Sequence, residues 1–432
     1  MNSDKTNFRD KGFQKTIVAA ITVVLMTGAS LTAMATPADR VAAKRIYDRL
    51  AGIPPTEAML DTMESCFSTT DTSACDAVAG ALTASNDPAV KAAYVAMENP
   101  AFYNVTLKNF AAPWTNEAQS VFVPLNDYTA TVIGMIRDDL DFRTVLSDDI
   151  LYTASGVSPG YQTNSNAHYE AAENNGVDLK TALTRTTQVG IPAAATAGVM
   201  TTRAAARAFF VDGTNRAMFR FTLLNHLCSD LELVKDATRT ADRIRQDVSR
   251  SPGGDSRIYM NSCIGCHTFM DPLAQAYAYY EWSYPTDQPD NGQLVYDSTS
   301  RPVDANDPSK GTTRAQPKYL INANNFEHGY VTRDDSWINY MRNGSNEVLG
   351  WYGAQSSGQG AKTMGAELAS TEAFASCQVR KVFKAVCIRD PMDSVADRTR
   401  INQIVASIGN GPISMKEIFA ETASYCKDGS VY

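Results

Sequence analysis

The sequence predicts a predominantly α-helical protein, and three observations carry that reading. Apolar residues recur at three- and four-residue intervals over 38–50, and again over 366–377, 379–387 and 396–407. Helix-start signals stand directly before such runs, with Pro88 where a missing amide proton costs nothing and Asn126-Asp127 ahead of 128–137. Against these, one stretch, 292–296, reads as a short strand.

Taken in order, residues 1–15 are mixed but net basic, with Lys5, Arg9, Lys11 and Lys15, and an apolar run over 16–31 follows. Ala33-Met34-Ala35 then places small residues at the first and third positions of a cleavage triplet. Residues 1–35 are therefore expected to be a signal peptide and the protein to be periplasmic or extracellular. The alternative is a retained anchor, but a core of about 16 residues is short for a membrane span. No comparable apolar run occurs later in the chain.

The remaining chain is long enough for two or three mostly helical domains. Residues 36–151 read as an N-terminal helical domain. Its first helix is broken at Gly52 and Pro54-Pro55, a second starts near Thr56, short runs alternate with polar turns over 61–87, and 141–151 continues the helical pattern. Asp138, Asp139, Asp141, Asp148 and Asp149 lack the alternating spacing of a calcium loop and read as a solvated face. Residues 152–192, rich in Gly, Ser, Asn and Thr, read as a loop or linker with His168 exposed within it.

Two helices are expected over 201–210 and 214–227, the second carrying His226 in its apolar pattern. A charged helix over 230–250 should follow, broken by Ser251-Pro252-Gly253-Gly254. Asp271-Pro272 should start another helix, 284–330 should be extended, and 336–341 should be a short helix. Residues 351–432 form a last helical unit, with Ser414 as a cap.

Net charge at pH 7 is −8, which argues against a nucleic-acid partner. No His-Glu-X-X-His pair is present, and four histidines limit metal-dense schemes.

The most demanding stretch is Cys263-Ile264-Gly265-Cys266-His267. Two thiols at this spacing can form thioethers with the vinyl groups of a haem, and the adjacent histidine can bind its iron. Thioredoxin-like redox chemistry uses the same cysteine spacing but expects a strand leading into the pair, and 256–262 has no long β-branched run. A zinc site would need further ligands at comparable spacing, and no second close cysteine pair exists.

The reading is thus one covalently attached haem c, held by Cys263, Cys266 and His267, in a cytochrome-c-like haem domain over 193–350, embedded in larger helical domains. The unit over 351–432 would complete the haem site if Met364 is the sixth ligand. Met364 is the first choice because it stands in a glycine-containing loop directly before an expected helix; Met341, His328 and His226 are the other candidates. Tyr279, Tyr280 and Trp282 read as packing aromatics or as neighbours of the haem.

In an exported chain the remaining cysteines, Cys66, Cys75, Cys228, Cys377, Cys387 and Cys426, are expected to form disulfides. Short separations favour Cys66 with Cys75 and Cys377 with Cys387, leaving Cys228 and Cys426 for a long closure.

The segments 215–220, 263–267 and 270–272 resemble the haem-bearing, cytochrome-like domains of large exported proteins common in planctomycetes and other bacteria. Residues 368–383 and 401–418 resemble the helical domain of unknown function that often closes those proteins, and 45–55 resembles their helical front domain. The resemblance implies an exported cytochrome in which Cys263, Cys266 and His267 hold the haem, with Met270-Asp271-Pro272 as the local architecture after the proximal ligand.

The function expected is a monohaem electron carrier between a redox protein donor and acceptor, without a membrane span after signal cleavage and with possible self-association. The alternatives are a peroxidase-like haem enzyme and a structural subunit of an extracellular assembly.

Overall fold

Helix boundaries follow the caps that the sequence carries. The computed structural model describes residues 35–428 except 212–214, 235, 237, 240–256, 258 and 321–330. The stretch 1–34 of the expected signal peptide, the break at Ser251-Pro252-Gly253-Gly254, most of the charged segment 235–250 and His328 lie outside the described residues.

Helix α1 (Pro37–Ala51) begins just past the expected cleavage point. The Thr36 hydroxyl accepts from the Asp39 amide while the Asp39 carboxylate accepts from the Thr36 amide, and Gly52, at φ 72°, ends the helix. Thr56 caps α2 (Glu57–Ser65), as expected, and α3 (Ser73–Ala79) follows. In α4 (Pro88–Met97) the Asp87 carboxylate accepts the first free amides, and nearly every side chain is buried because α1, α2 and α3 pack around it.

A short helix α5 (Lys108–Ala111) leads to α6 (Asp127–Arg137), capped by Asn126. At Gly134 the Tyr152 ring lies so close that a Cβ would meet its carbons at 2.2–2.6 Å, so only glycine lets α6 approach the following strand.

Residues 141–151 do not continue as α-helix: a 3₁₀ turn (Phe142–Leu146) is followed by strand β1 (Leu151–Ala154). β1 pairs antiparallel with β2 (Leu183–Thr186), and α7 (Ala167–Asn174) and α8 (Leu179–Ala182) lie between them. The stretch 152–192 is thus a folded excursion. His168, expected at the surface, is buried: its Nε2 accepts from the Ala154 amide at 3.1 Å, and Nδ1 donates to the Pro159 carbonyl at 2.8 Å. Backbone groups that β1 leaves unpaired draw the imidazole inward.

The acidic cluster is likewise more than a solvated face. The Asp141 carboxylate accepts from the amides of Arg143 and Ile413, Asp149 from the Gln188 amide, and Asp138 from Arg137 and the Tyr152 hydroxyl.

Helices α9 (Arg203–Phe209) and α10 (Arg216–His226) appear where expected. The start of the charged segment is a 3₁₀ turn, Leu231–Leu233. The cysteine motif opens α11 (Ile264–Ala274), and Pro272 falls inside its last turn instead of starting a helix. The next strands form three further two-stranded antiparallel pairs. They are β3 (Tyr280–Ser283) with β4 (Gln293–Tyr296), β5 (Arg301–Pro302) with β6 (Thr312–Thr313), and β7 (Ser336–Ile338) with β8 (Ser357–Gln359). Residues 336–341, expected as helix, are therefore strand followed by the 3₁₀ turn Tyr340–Arg342.

The last helices are α12 (Gly360–Ala369), α13 (Glu372–Cys387), α14 (Val395–Ile408) and α15 (Met415–Cys426), the last capped by Ser414. The expected helix over 366–377 is interrupted at Ser370-Thr371, where the Thr371 hydroxyl accepts from the Phe374 amide and restarts the chain as α13. One apolar core runs from Ala43 to Cys426. α15 packs on α1, α4 and α13, so the first and last described helices share that core.

All eight cysteines are described, and six form disulfides. Cys66 pairs with Cys75, as expected, but Cys377 pairs with Cys228 and Cys387 with Cys426. The expected Cys377–Cys387 bridge fails because α13 is continuous. Ten residues of helix separate those cysteines by about 15 Å, far beyond disulfide reach. No helix among the described residues is long and apolar enough to cross a membrane. The three disulfides are compatible with a secreted or periplasmic protein.

Candidate functional site

Cys263 and Cys266 are the two cysteines left with free thiols, and both are partly exposed. Cys263 is the cap of α11, while Cys266 and His267 occupy its first turn. The Cys266 thiol faces the carbonyl of Leu231 at 3.5 Å, which places the 3₁₀ turn after α10 beside the motif. Burial pushes the Cys266 thiol above its ordinary range, the opposite of what an attacking redox thiolate needs. Beside it, Gly265 has nothing among the described residues within 4 Å of where a Cβ would stand.

His267 is held from behind. Its Nδ1 lies 3.0 Å from Oδ2 of Asp271, one helical turn further along α11. An ionised carboxylate only accepts, so in the neutral imidazole the proton lies on Nδ1 and Nε2 is the nitrogen that carries the lone pair. Asp271 is fully buried, and its other oxygen accepts from Nε of Arg216 at 2.7 Å. Arg216 is the first residue of α10, so the contact also ties α10 to α11.

Sequence reasoning named Asp271 only as local architecture. The usable signal was its position four residues after His267, which puts both side chains on one face of any helix over that stretch.

These residues fit the thioether reading on three counts. The two thiols are unpaired among six bridged ones, the histidine hydrogen-bonds Asp271 through Nδ1 and so keeps the lone pair on Nε2, and no described residue crowds the position of a Cβ at Gly265. Among the described residues no group of three or more His, Cys, Asp or Glu is arranged to hold a bare metal ion.

The candidate sixth ligands fall in different places. Met364 is fully buried inside α12, and not in a loop before a helix. α12 packs mainly on Phe142–Leu146 and on the turn Gln275–Tyr277 just past α11. At the next residue, Gly365, an added Cβ would stand 2.0 Å from the Leu146 carbonyl oxygen.

Met341 is also buried, but it lies in the turn Tyr340–Arg342, which packs directly on α11. Arg239 spans that contact, its guanidinium 4.0 Å from the Tyr340 ring centre and 5.7 Å from that of Phe269.

His226 is ten residues along α10 from Arg216, about 15 Å of helix. Its Nε2 is hydrogen-bonded to the Tyr128 hydroxyl at 2.8 Å, and Trp114 and Phe374 pack against its ring. Tyr279, Tyr280 and Trp282 are buried packing residues on and before β3.

Two surface clefts, of about 740 and 790 Å³, lie beside α1 and beside the start of α9; neither is lined by a motif residue. No family model matches the chain, and no curated protein or solved structure is found to be similar to it.

Proposed function

We propose that the protein is an exported monohaem c-type cytochrome that carries single electrons between redox protein partners. The observation that carries this reading is the pair of free thiols at Cys263 and Cys266 on the turn that also bears His267, in a chain whose other cysteines are all bridged. A haem attached there supplies a one-electron couple at its iron.

The chain's own part is to hold that group and set its environment. Cys263 and Cys266 provide the thioethers, His267 provides Nε2, and Asp271 keeps the imidazole in the required tautomer. On the far side a methionine thioether would raise the reduction potential and keep external ligands off. Met364 is the first candidate by sequence, and Met341 gains support from the packing of its turn on α11.

The test is an oxidised and a reduced absorption spectrum of protein matured in an export-competent host that attaches haem c. Covalent haem with a low-spin spectrum and the weak long-wavelength band of a methionine–ferric bond is the expected result. Absence of covalent haem would refute the reading. The peroxidase-like alternative draws on one observation, the buried carboxylate behind His267, which pushes electron density toward the iron. A high-spin ferric spectrum with rapid peroxide reaction would put that alternative first.

A further inference from the structure

We infer that Asp271 and Arg216 form a charge relay that tunes the iron through His267, with Asp271 as a positioning residue that lowers the reduction potential. This inference rests on the haem reading above and goes beyond it, because nothing in the Cys263–His267 motif requires a carboxylate behind the histidine.

Three features of the geometry carry the argument. First, the contact is direct: Nδ1 of His267 stands 3.0 Å from Oδ2 of Asp271, with the two side chains one turn apart on α11. Second, the Asp271 side chain has no solvent exposure, so water does not dilute the interaction. A carboxylate hydrogen-bonded to Nδ1–H in such a place raises the donor strength of Nε2, which favours the ferric over the ferrous state. Third, the second oxygen of Asp271 is bound by Nε of Arg216 at 2.7 Å. The guanidinium compensates the buried negative charge and takes a share of it, so it limits how strongly the carboxylate acts on His267.

The relay therefore has two arms of opposite sign. Removing the carboxylate's charge weakens the donor strength of His267, whereas removing the guanidinium leaves the carboxylate freer to strengthen it. A purely structural role for the Arg216–Asp271 pair would make both losses behave alike.

The experiment uses the full haem-loaded protein and compares wild type with Asp271→Asn and Arg216→Gln by potentiometric titration. Asp271→Asn should raise the midpoint potential by at least a tenfold change in the ferric-to-ferrous ratio, about 59 mV for one electron. Arg216→Gln should lower it or leave it unchanged.

A second measurement needs no variant. In the reduced, diamagnetic wild-type protein, proton NMR should show the His267 Nδ1 proton as a downfield, slowly exchanging resonance. That signal should shift upfield in Asp271→Asn. Attached haem with a potential unmoved by Asp271→Asn, or moved in the same direction by both variants, would overturn the relay. A rapidly exchanging Nδ1 proton in the wild type would overturn it as well. Failure of the wild type to carry covalent haem would instead overturn the cytochrome reading beneath it.

Discussion

Lowering the pH should destabilise this protein through His226, and the size of the effect follows from its surroundings. The imidazole is 1 % exposed, boxed by Trp114, Tyr128 and Phe374, with part-buried Lys381 nearby. Burial first, and the Lys381 charge second, hold its pKa well below the ordinary histidine value. The folded chain thus keeps His226 neutral where the unfolded chain takes up a proton, below about pH 6.5. Because the unfolded state then binds more protons, stability is intact above that pH and is lost as the pH falls toward the folded-state value.

For one such group the loss is on the order of 1 kcal/mol by pH 5.5 and grows as the pH falls further. The perturbation is His226→Gln, which removes the titration and keeps a polar partner for the Tyr128 hydroxyl. Urea unfolding of both proteins at pH 8 and pH 5.5 gives a difference of differences. The direct cost of the substitution cancels in it, as do other acid-sensitive groups such as Lys381, whose amine burial also holds low. Wild type should lose on the order of 1 kcal/mol more than the variant over that interval. Parallel losses would refute the assignment of a buried neutral imidazole.

Other outcomes can be checked in the same preparations. Replacing both cysteines of the Cys228–Cys377 bridge by serine should cost about 5 kcal/mol, against about 2.5 kcal/mol for the Cys66–Cys75 pair, because the first closes a loop of 149 residues and the second one of 9. Denaturant midpoints in the reverse order would count against that account. Gly365→Ala should cost about 3 kcal/mol by thermal or urea unfolding, since the new methyl meets the Leu146 carbonyl, a backbone atom that cannot swing away. In haem-loaded protein, His267→Ala should abolish the low-spin spectrum while thioether attachment persists. An unchanged spectrum would exclude His267 as a ligand.

Much of the fold was legible because helix ends are chemical as well as periodic. Thr56, Asp87, Asn126 and Ser414 each offer an oxygen to amides that no helical carbonyl can reach, and each stands where a helix starts. The misread stretches are those where local pattern and tertiary need diverge. Residues 336–341 carry a helix-compatible spacing, yet Trp337 is buried against Gly358, and the backbone of Ser336–Ile338 pairs with β8. Met364 was read as a loop residue because glycines surround it, although Gly365 serves close packing inside α12.

By itself the sequence determined the helical class, most helix caps and the spacing of Cys263, Cys266 and His267, because each of these is set by residues near one another along the chain. Only the tertiary structure decided the rest. It chose which distant cysteines meet, because disulfide geometry depends on where α10, α13 and α15 lie in space. It buried His168, whose polar surroundings in the sequence read as surface, because burial belongs to a position in the core and not to neighbouring residues. It also brought Arg216 of α10 onto Asp271 of α11 and so put a compensated carboxylate behind His267, a contact between residues 55 apart in the chain.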